Sequence, residues 1–513
     1  MTTDFSPVAA LFETDAYKLD HRRQYGLSGD VTRVYSNFTN RKSRLPGVEH
    51  VVHFGLQAYI QKHLVEAFEP FFAAGEAEVC ELYQRRIAQV LGPDAAKAIG
   101  FWHIRDLHRL GYLPLRFSAA PEGTLIPIRV PSFTVENTLP EFFWLTNYIE
   151  TGLSAGYWQA STSATIAHEY RKVLEAAANR TYSPLEAVDW QCHDFSYRGM
   201  SSHETAAASG AAHLLSFTGT DSLVALDWID RYYGGPYIAG SVAATEHSVM
   251  CTGIASLSDE YGATEGWLRP AKEIAECEVF SRLLDLYPSG IVSVVSDTFD
   301  LWKVLTQYLP TLRDKILARD GKLVIRPDSG DPELILCGDP NAPVGSPAWM
   351  GVLNLLYETF GGSVNPAGYF EINPKVGAIY GDSITIDRAK SITNRLAIQG
   401  FASTNVVFGV GSYTYQYNTR DTFGSAMKAT WAEVDGKGVN LFKDPVTDDG
   451  TKRSATGRLA VLATGPGGAL ELHERAGGYQ EKNSLLQTVW ENGEFVRRQT
   501  FPEVREVLAG SLS

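Results

Sequence analysis

Three clusters between Cys192 and Met250 carry side chains capable of chemistry: His193-Asp-Phe-Ser-Tyr-Arg-Gly199, Gly219-Thr-Asp-Ser222 and Ala244-Thr-Glu-His-Ser248. Each begins where a short apolar run stops. Ser296-Asp297, Arg326–Gly330, Gly381–Ser383 and Gly409–Ser412 repeat the pattern further along, making seven such clusters. Apolar runs that end in polar clusters, with helical segments between, predict parallel strands whose C-terminal ends share one mouth.

The residue types in that mouth narrow the chemistry. Asp221, Asp297, Asp328 and Asp382 end strands, where a carboxylate binds ribose hydroxyls or an oxygen-liganded Mg2+, or simply caps the next helix. His247, with Glu246 beside it, is a candidate catalyst or a satisfied buried histidine. Phe195 and Tyr197 offer ring faces for stacking a flat heterocycle, or belong to the core. Asn405-Val-Val-Phe-Gly-Val-Gly-Ser412 runs from a strand into a loop with two glycines. Such a loop lets backbone N–H groups approach a phosphate. Arg198, Arg326, Arg420, Lys428, Lys443 and Lys452 supply cations near or beyond these loops. Together they suit a phosphorylated sugar with a flat aromatic partner.

The elements that must position these groups form an α/β chain. Strands are predicted at 188–192, 214–218, 238–242, 290–295, 322–325, 376–380 and 405–408, with helices at 202–212, 223–233, 299–317, 346–360 and 384–398. This alternation predicts a central (β/α) barrel-like domain over residues 181–420. Before it, Val31 to Asn40 alternates as a strand into the basic loop Asn40-Arg-Lys-Ser-Arg44, and 56–68 has helical spacing. The runs 115–119 and 124–130 flank Pro121-Glu-Gly123 as a hairpin. Thr138-Leu-Pro-Glu141 has capping-box spacing ahead of a buried helix to about Leu153, and a second helix spans 161–180. After Arg420, Val434-Asp-Gly-Lys437 and Glu491-Asn-Gly-Glu494 are hairpin turns, and Gly465-Pro-Gly-Gly468 is a longer one. Residues 1–180 and 421–513 are therefore expected to build one mainly antiparallel α+β sheet domain.

Composition sets the outer limits. At 513 residues, 44% hydrophobic and 20% charged, the chain reads as globular. A net charge of -14 argues against generic binding to nucleic acid or anionic membranes, but not against one basic pocket for a phosphorylated metabolite. Five scattered cysteines without a CxxC pair fit a reducing, cytoplasmic setting and provide no zinc framework. The first twenty residues lack the pattern of a secretory signal, and no apolar run approaches a membrane span.

Eight ordered motifs carry a resemblance to the nicotinamide phosphoribosyltransferase family, from about Asp15 to Arg458: Thr14-Asp-Ala-Tyr-Lys18, His193–Gly199, Gly219-Thr-Asp221, Glu246-His-Ser248, Ser293-Val-Val-Ser-Asp297, Ile325-Arg-Pro-Asp-Ser-Gly330, Tyr380-Gly-Asp382 and Phe442-Lys-Asp-Pro-Val446. The resemblance implies condensation of nicotinamide with 5-phosphoribosyl 1-pyrophosphate, giving nicotinamide mononucleotide and pyrophosphate. It implies that Phe195 and a Tyr17 from a second subunit sandwich the base, so that the site lies at a homodimer interface, with Asp15 nearby. Asp221 would accept the carboxamide NH2 and repel nicotinate. Arg198, Ser241 and Arg326 resemble the remaining pocket residues, and Asp328 and Asp382 would hold the ribose or Mg2+. Gly381, Gly411, Arg420 and Lys428 resemble phosphate contacts, with Arg41, Lys443 and Lys452 reaching the pyrophosphate. His247 matches the histidine that the family phosphorylates with ATP as co-substrate, oriented by Glu246 and Asp297.

Departures from the family pattern are Gly411-Ser-Tyr413 where a third glycine is expected, Ala426 for a serine, and one extra residue before Lys452. Other readings are nicotinate phosphoribosyltransferase, a barrel glycosidase pairing Asp297 with Asp328, and a non-catalytic nucleotide-binding protein.

Overall fold

The computed structural model describes residues 6–260, 269–381, 383–447 and 453–511. The chain divides into two units, one of residues 1–165, 227–237 and 418–513, the other of residues 166–226 and 238–417. The first division falls inside the 31-residue helix Glu150–Arg180, not after it as the sequence suggests. The segment 227–237, expected inside the barrel domain, belongs to the first unit.

The first unit is built on a seven-stranded antiparallel sheet whose order is 437–440, 425–434, 31–40, 131–137, 115–119, 487–491, 494–495. Strand Val31–Asn40 lies inside this sheet, between 425–434 and 131–137. A strand covered on both faces needs more than simple alternation, and Val34 to Phe38 are all buried. The apolar core beneath joins Phe38, Phe117, Phe133, Tyr157 and Trp490, with Phe38 and Phe133 stacked at 5.0 Å. The two short hairpins form as expected. Val434 pairs with Lys437 and Glu491 with Glu494. Asp435, Gly436, Asn492 and Gly493 all take the positive φ that such turns require.

Two local expectations fail in this unit. Strand Leu115–Ala119 pairs with 131–137 and 487–491, whereas Leu125–Pro127 pairs with His50–Val52, so Pro121-Glu-Gly123 does not close a hairpin between adjacent strands. The capping box at Thr138 does not form either. Its hydroxyl donates to Asn492 Oδ1 at 2.6 Å, and only short helical turns precede the helix at Glu150.

The second unit is a parallel sheet of seven strands among the described residues, ordered 219–220, 192–194, 406–410, 376–380, 320–326, 289–295, 243–244. Its two ends meet. Gly240 bridges Gly219 in parallel, and Ala243–Ala244 pairs with 292–293. The segment 240–244 therefore closes the sheet into a barrel-like ring, and helices 203–213, 347–360 and 386–398 fall where the sequence places them. Three strands shift C-terminally from expectation. The expected strand 188–192 begins only at Cys192, after the helical turn Leu185–Trp190. The expected 214–218 is realised at Gly219–Thr220, and the expected 238–242 at Ala243–Ala244.

Candidate active site

Parallel strands align their C-terminal ends, and a cavity of about 460 Å³ opens there. Strand 192–194 delivers Phe195 and Arg198, and 243–244 delivers Glu246 and His247. Strand 320–326 delivers Arg326 and Asp328, and strands 376–380 and 406–410 deliver Gly381 and Gly411. Eight residues singled out in the sequence, at the ends of five strands, thus line one cavity.

Asp221 lies beside this group in a fixed environment. His193 Nε2 is 2.9 Å from its Oδ1, and the Ser241 hydroxyl donates to the same oxygen. Burial raises the Asp221 pKa, but the hydrogen bonds from His193 and Ser241 and the charges of His193 and Arg326 outweigh it and leave the carboxyl below its ordinary value. Asp221 is thus an anchored carboxylate with acceptor capacity to spare. His193 also touches Phe195, their ring centroids 4.6 Å apart, so the acceptor and the candidate stacking face share one support. Sequence reasoning gave His193 no role; its place two residues before Phe195 was the available signal.

His247 opens the helix His247–Glu260 with half its side chain exposed, and its Nε2 is 3.6 Å from Asp297 Oδ1. Asp297 is not a helix cap. Its Oδ2 accepts from Asp328 N–H at 2.9 Å and from Ser329 Oγ at 2.6 Å, while the buried Oδ1 has no hydrogen-bond partner. The capping is done three residues later in each loop, by Asp300 and Asp331. Asp297 and Asp328 are left for other work, and Asp328 is exposed at the rim. Arg326 donates from Nη2 to the Thr245 carbonyl, and burial holds its pKa below the ordinary value against the pull of Asp328, Asp221 and Asp297. Its buried Nε has no partner.

The glycines make room. A Cβ on Gly381 would come within 2.7 Å of Asp328 Oδ1, one on Gly409 within 2.7 Å of the Phe195 ring, and one on Gly199 within 2.3 Å of Ser412 Cβ. Gly409 therefore serves to seat Phe195, and Gly411, which faces open space, is the glycine left to admit a ligand.

The other predicted residues among those described belong to the first unit. Tyr17 is 62% exposed on the turn Ala16–Asp20, which is anchored by Lys18 Nζ on Glu150 Oε2 at 2.8 Å. Asp15 Oδ2 accepts from Thr151 at 2.7 Å. The other oxygen of Glu150 is 3.7 Å from Lys428 Nζ. Burial lowers the Lys428 pKa; Glu150 opposes that, and Arg41, Lys443 and Arg420 push it further down. Arg41 and Lys428 line a second cavity, of about 260 Å³, together with Asn37 and Thr39. Arg129 and Arg453, not singled out in the sequence, line it too. Asp382 and Lys452 lie outside the described residues.

A metal fits this arrangement only with help from substrate. Among the described residues no group of three or more His, Cys, Asp or Glu side chains is placed to hold an ion. Mg2+ characteristically takes one or two carboxylates and completes its shell with water and phosphate oxygens, which the exposed Asp328 permits.

Comparison with known proteins gives a consistent result. The model of the nicotinate phosphoribosyltransferase (NAPRTase) family matches residues 190–494. A nicotinamide phosphoribosyltransferase of Acinetobacter baylyi is 48% identical, covering 100% of this chain and 99% of that protein. One of Mycoplasma pneumoniae is 35% identical over 88% of this chain and 95% of its own length. Among solved structures, human nicotinic acid phosphoribosyltransferase aligns with a TM-score of 0.56 at 17% identity, covering 97% of this chain and 93% of that one. The nicotinate-nucleotide pyrophosphorylase of Pyrococcus furiosus aligns at 0.54 and 16% identity, covering 100% and 97%. At such identities the structural likeness speaks for the fold, while the sequence relatives and the family model settle kinship. The chain belongs to the nicotinate phosphoribosyltransferase family, the family of these nicotinamide phosphoribosyltransferases.

Proposed function

We propose that the protein condenses nicotinamide with 5-phosphoribosyl 1-pyrophosphate to nicotinamide mononucleotide and pyrophosphate, a salvage step toward NAD. The observation that carries the choice of base is the anchored Asp221 carboxylate. An ionised carboxylate only accepts hydrogen bonds, so it favours the amide NH2 and repels the carboxylate of nicotinate. Phe195 offers its face to the pyridine ring.

The pyridine nitrogen already carries a lone pair, so no general base is needed. The bond from ribose C1 to the pyrophosphate oxygen breaks as the bond from C1 to the ring nitrogen forms. The difficulty is charge, on the departing diphosphate and on the sugar, and the remedy is placed cations and position. Arg198 and Arg326 act from the cavity, and Asp328 would hold ribose hydroxyls or, with Asp382, Mg2+. When bound, Mg2+ neutralises charge developing on the diphosphate.

A second copy of the chain, in this reading, brings Tyr17 to close the other face of the base. It also brings Arg41, Arg420, Lys428, Lys443 and Lys452 to the diphosphate. The exposure of Tyr17 on an anchored turn supports that role. His247 accepts the γ-phosphoryl group of ATP on a ring nitrogen, releasing ADP, with the Asp297 carboxylate facing Nε2; hydrolysis of that bond drives the condensation.

The test gives the purified protein nicotinamide and nicotinate in parallel, each with phosphoribosyl pyrophosphate and Mg2+, with and without ATP. Nicotinamide should be the better substrate and ATP should raise its turnover. Preference for nicotinate would reject the role of Asp221, and indifference to ATP would reject that of His247.

A further inference from the structure

Arg129 has a backbone conformation that suits glycine. Its φ is 75°, in the left-handed region where a side chain of this size is disfavoured. The register of the sheet holds it there. Its N–H donates to the Asn40 carbonyl at 2.7 Å, next to Arg41, just before strand Pro131–Asn137 begins. It lines the first unit's cavity together with Arg41, Lys428 and Arg453, and Glu474 is the one carboxylate of that lining among the described residues. Lys428 already lies among the repelling charges of Arg41, Lys443 and Arg420.

Two costs therefore meet at residue 129, a strained backbone and one more positive charge in a crowded set. Stability alone favours glycine at this position. The charge term reverses sign only when a polyanion fills the cavity. We infer that Arg129 is a specificity-determining residue for the condensed phosphate of a substrate, contacting it from the same cavity lining as Arg41 and Lys428. The inference rests on the proposed function for the identity of the substrates. The chemistry recognised is a diphosphate or triphosphate chain, and its two sources are phosphoribosyl pyrophosphate and ATP.

The test uses the full-length protein, Arg129→Gly and Arg129→Asn, since both replacements tolerate the left-handed backbone and neither carries charge. Inorganic pyrophosphate binding is titrated calorimetrically, and thermal midpoints are read without ligand. Both variants should bind pyrophosphate roughly tenfold more weakly, the loss of one charge-assisted contact. The midpoint of Arg129→Gly should equal or exceed that of the natural protein. In turnover, KM should rise for phosphoribosyl pyrophosphate or for ATP, which identifies the source, while KM for nicotinamide holds. Unchanged pyrophosphate affinity in both variants would overturn the inference. Should the natural protein fail to use nicotinamide at all, the functional reading falls, yet the pyrophosphate titration still decides the part played by Arg129.

Discussion

Two cavities among the described residues, one in each unit, handle charge in opposite ways. In the barrel-like unit three of the charges are held by hydrogen bonds: Asp221 by His193 and Ser241, Asp297 by Asp328 N–H and Ser329, and Arg326 by the Thr245 carbonyl. In the sheet unit, cations gather around Lys428 in excess of their carboxylates. A pre-paired site discriminates by hydrogen-bond geometry, because it has already met the cost of orienting its groups. A surplus of like charge waits for a ligand of opposite sign and gives affinity and salt dependence more than shape selection. Under the proposed function, the base would be read in the barrel-like unit and the diphosphate held chiefly by the cations of the sheet unit.

The largest effect that could break this division is at Asp221. Asp221→Asn replaces the ionised acceptor by a neutral amide and removes the charge that faces His193. We expect kcat/KM for nicotinamide to fall about a hundredfold, with the preference over nicotinate narrowed and KM for phosphoribosyl pyrophosphate little changed. Equal losses for both bases would mean that Asp221 supports structure and not choice.

Arg458 provides the contrast inside the sheet unit itself. Unlike Lys428 it is fully paired, with Glu136 at 3.0 Å and Glu481 at 2.6 Å, and its guanidinium sits 4.6 Å from the Tyr35 ring centroid. Arg458→Met should lower stability by about 2 kcal/mol in urea unfolding. Arg116 remains near Glu136 to moderate the loss. Lys428→Met should do the reverse. It relieves repulsion, so stability should hold, while KM for phosphoribosyl pyrophosphate rises about tenfold and its dependence on salt flattens. A destabilised Lys428→Met with normal KM would erase the distinction between structural and ligand-directed cations.

Acid should act unevenly too. Burial holds His53 and His103 of the sheet unit down to about 3, and His213 of the barrel unit to about 4, from an ordinary 6.5. A depressed folded-state pKa means that stability is complete above the ordinary value and drains away as pH falls toward the folded one. Each of these histidines should therefore cost about 1 kcal/mol per pH unit below that ordinary value. Urea unfolding of the natural protein and of His53→Gln at about pH 7 and about pH 5 should show a smaller loss in the variant. An identical loss would place the acid sensitivity elsewhere.

Much of this was legible in the sequence, for reasons that differ by element. Strand Val376–Tyr380 is apolar throughout because it is buried on both faces, and its limits were read correctly. Gly219–Thr220 and Ala243–Ala244 could not be read, since two residues suffice for a strand when neighbouring backbones supply the pairing. Helix Arg269–Leu286 went unread because Lys272, Glu273, Glu276, Glu278, Arg282 and Asp285 leave it no clear apolar stripe. The failed hairpin at Pro121-Glu-Gly123 shows a good turn signal overruled by better strand partners at 131–137 and 50–52. In the site, the motif clusters were visible because each ends a strand. Which aspartates act as caps was not, because Asp297 and Asp300 look alike until the helix start is located. Arg129 had no signal at all. Only the register of 31–40 against 131–137 brings it beside Arg41.

The most direct test of a site shared between two copies is complementation. Asp221→Asn and Lys428→Met, each impaired alone, are unfolded together, refolded as a mixture and assayed with nicotinamide and with phosphoribosyl pyrophosphate below its KM. If one copy supplies the base pocket and the other the cations, random pairing leaves one intact site in each mixed dimer, and activity should return to about a quarter of that of the natural protein. Activity no higher than the mean of the two variants would contradict the shared site.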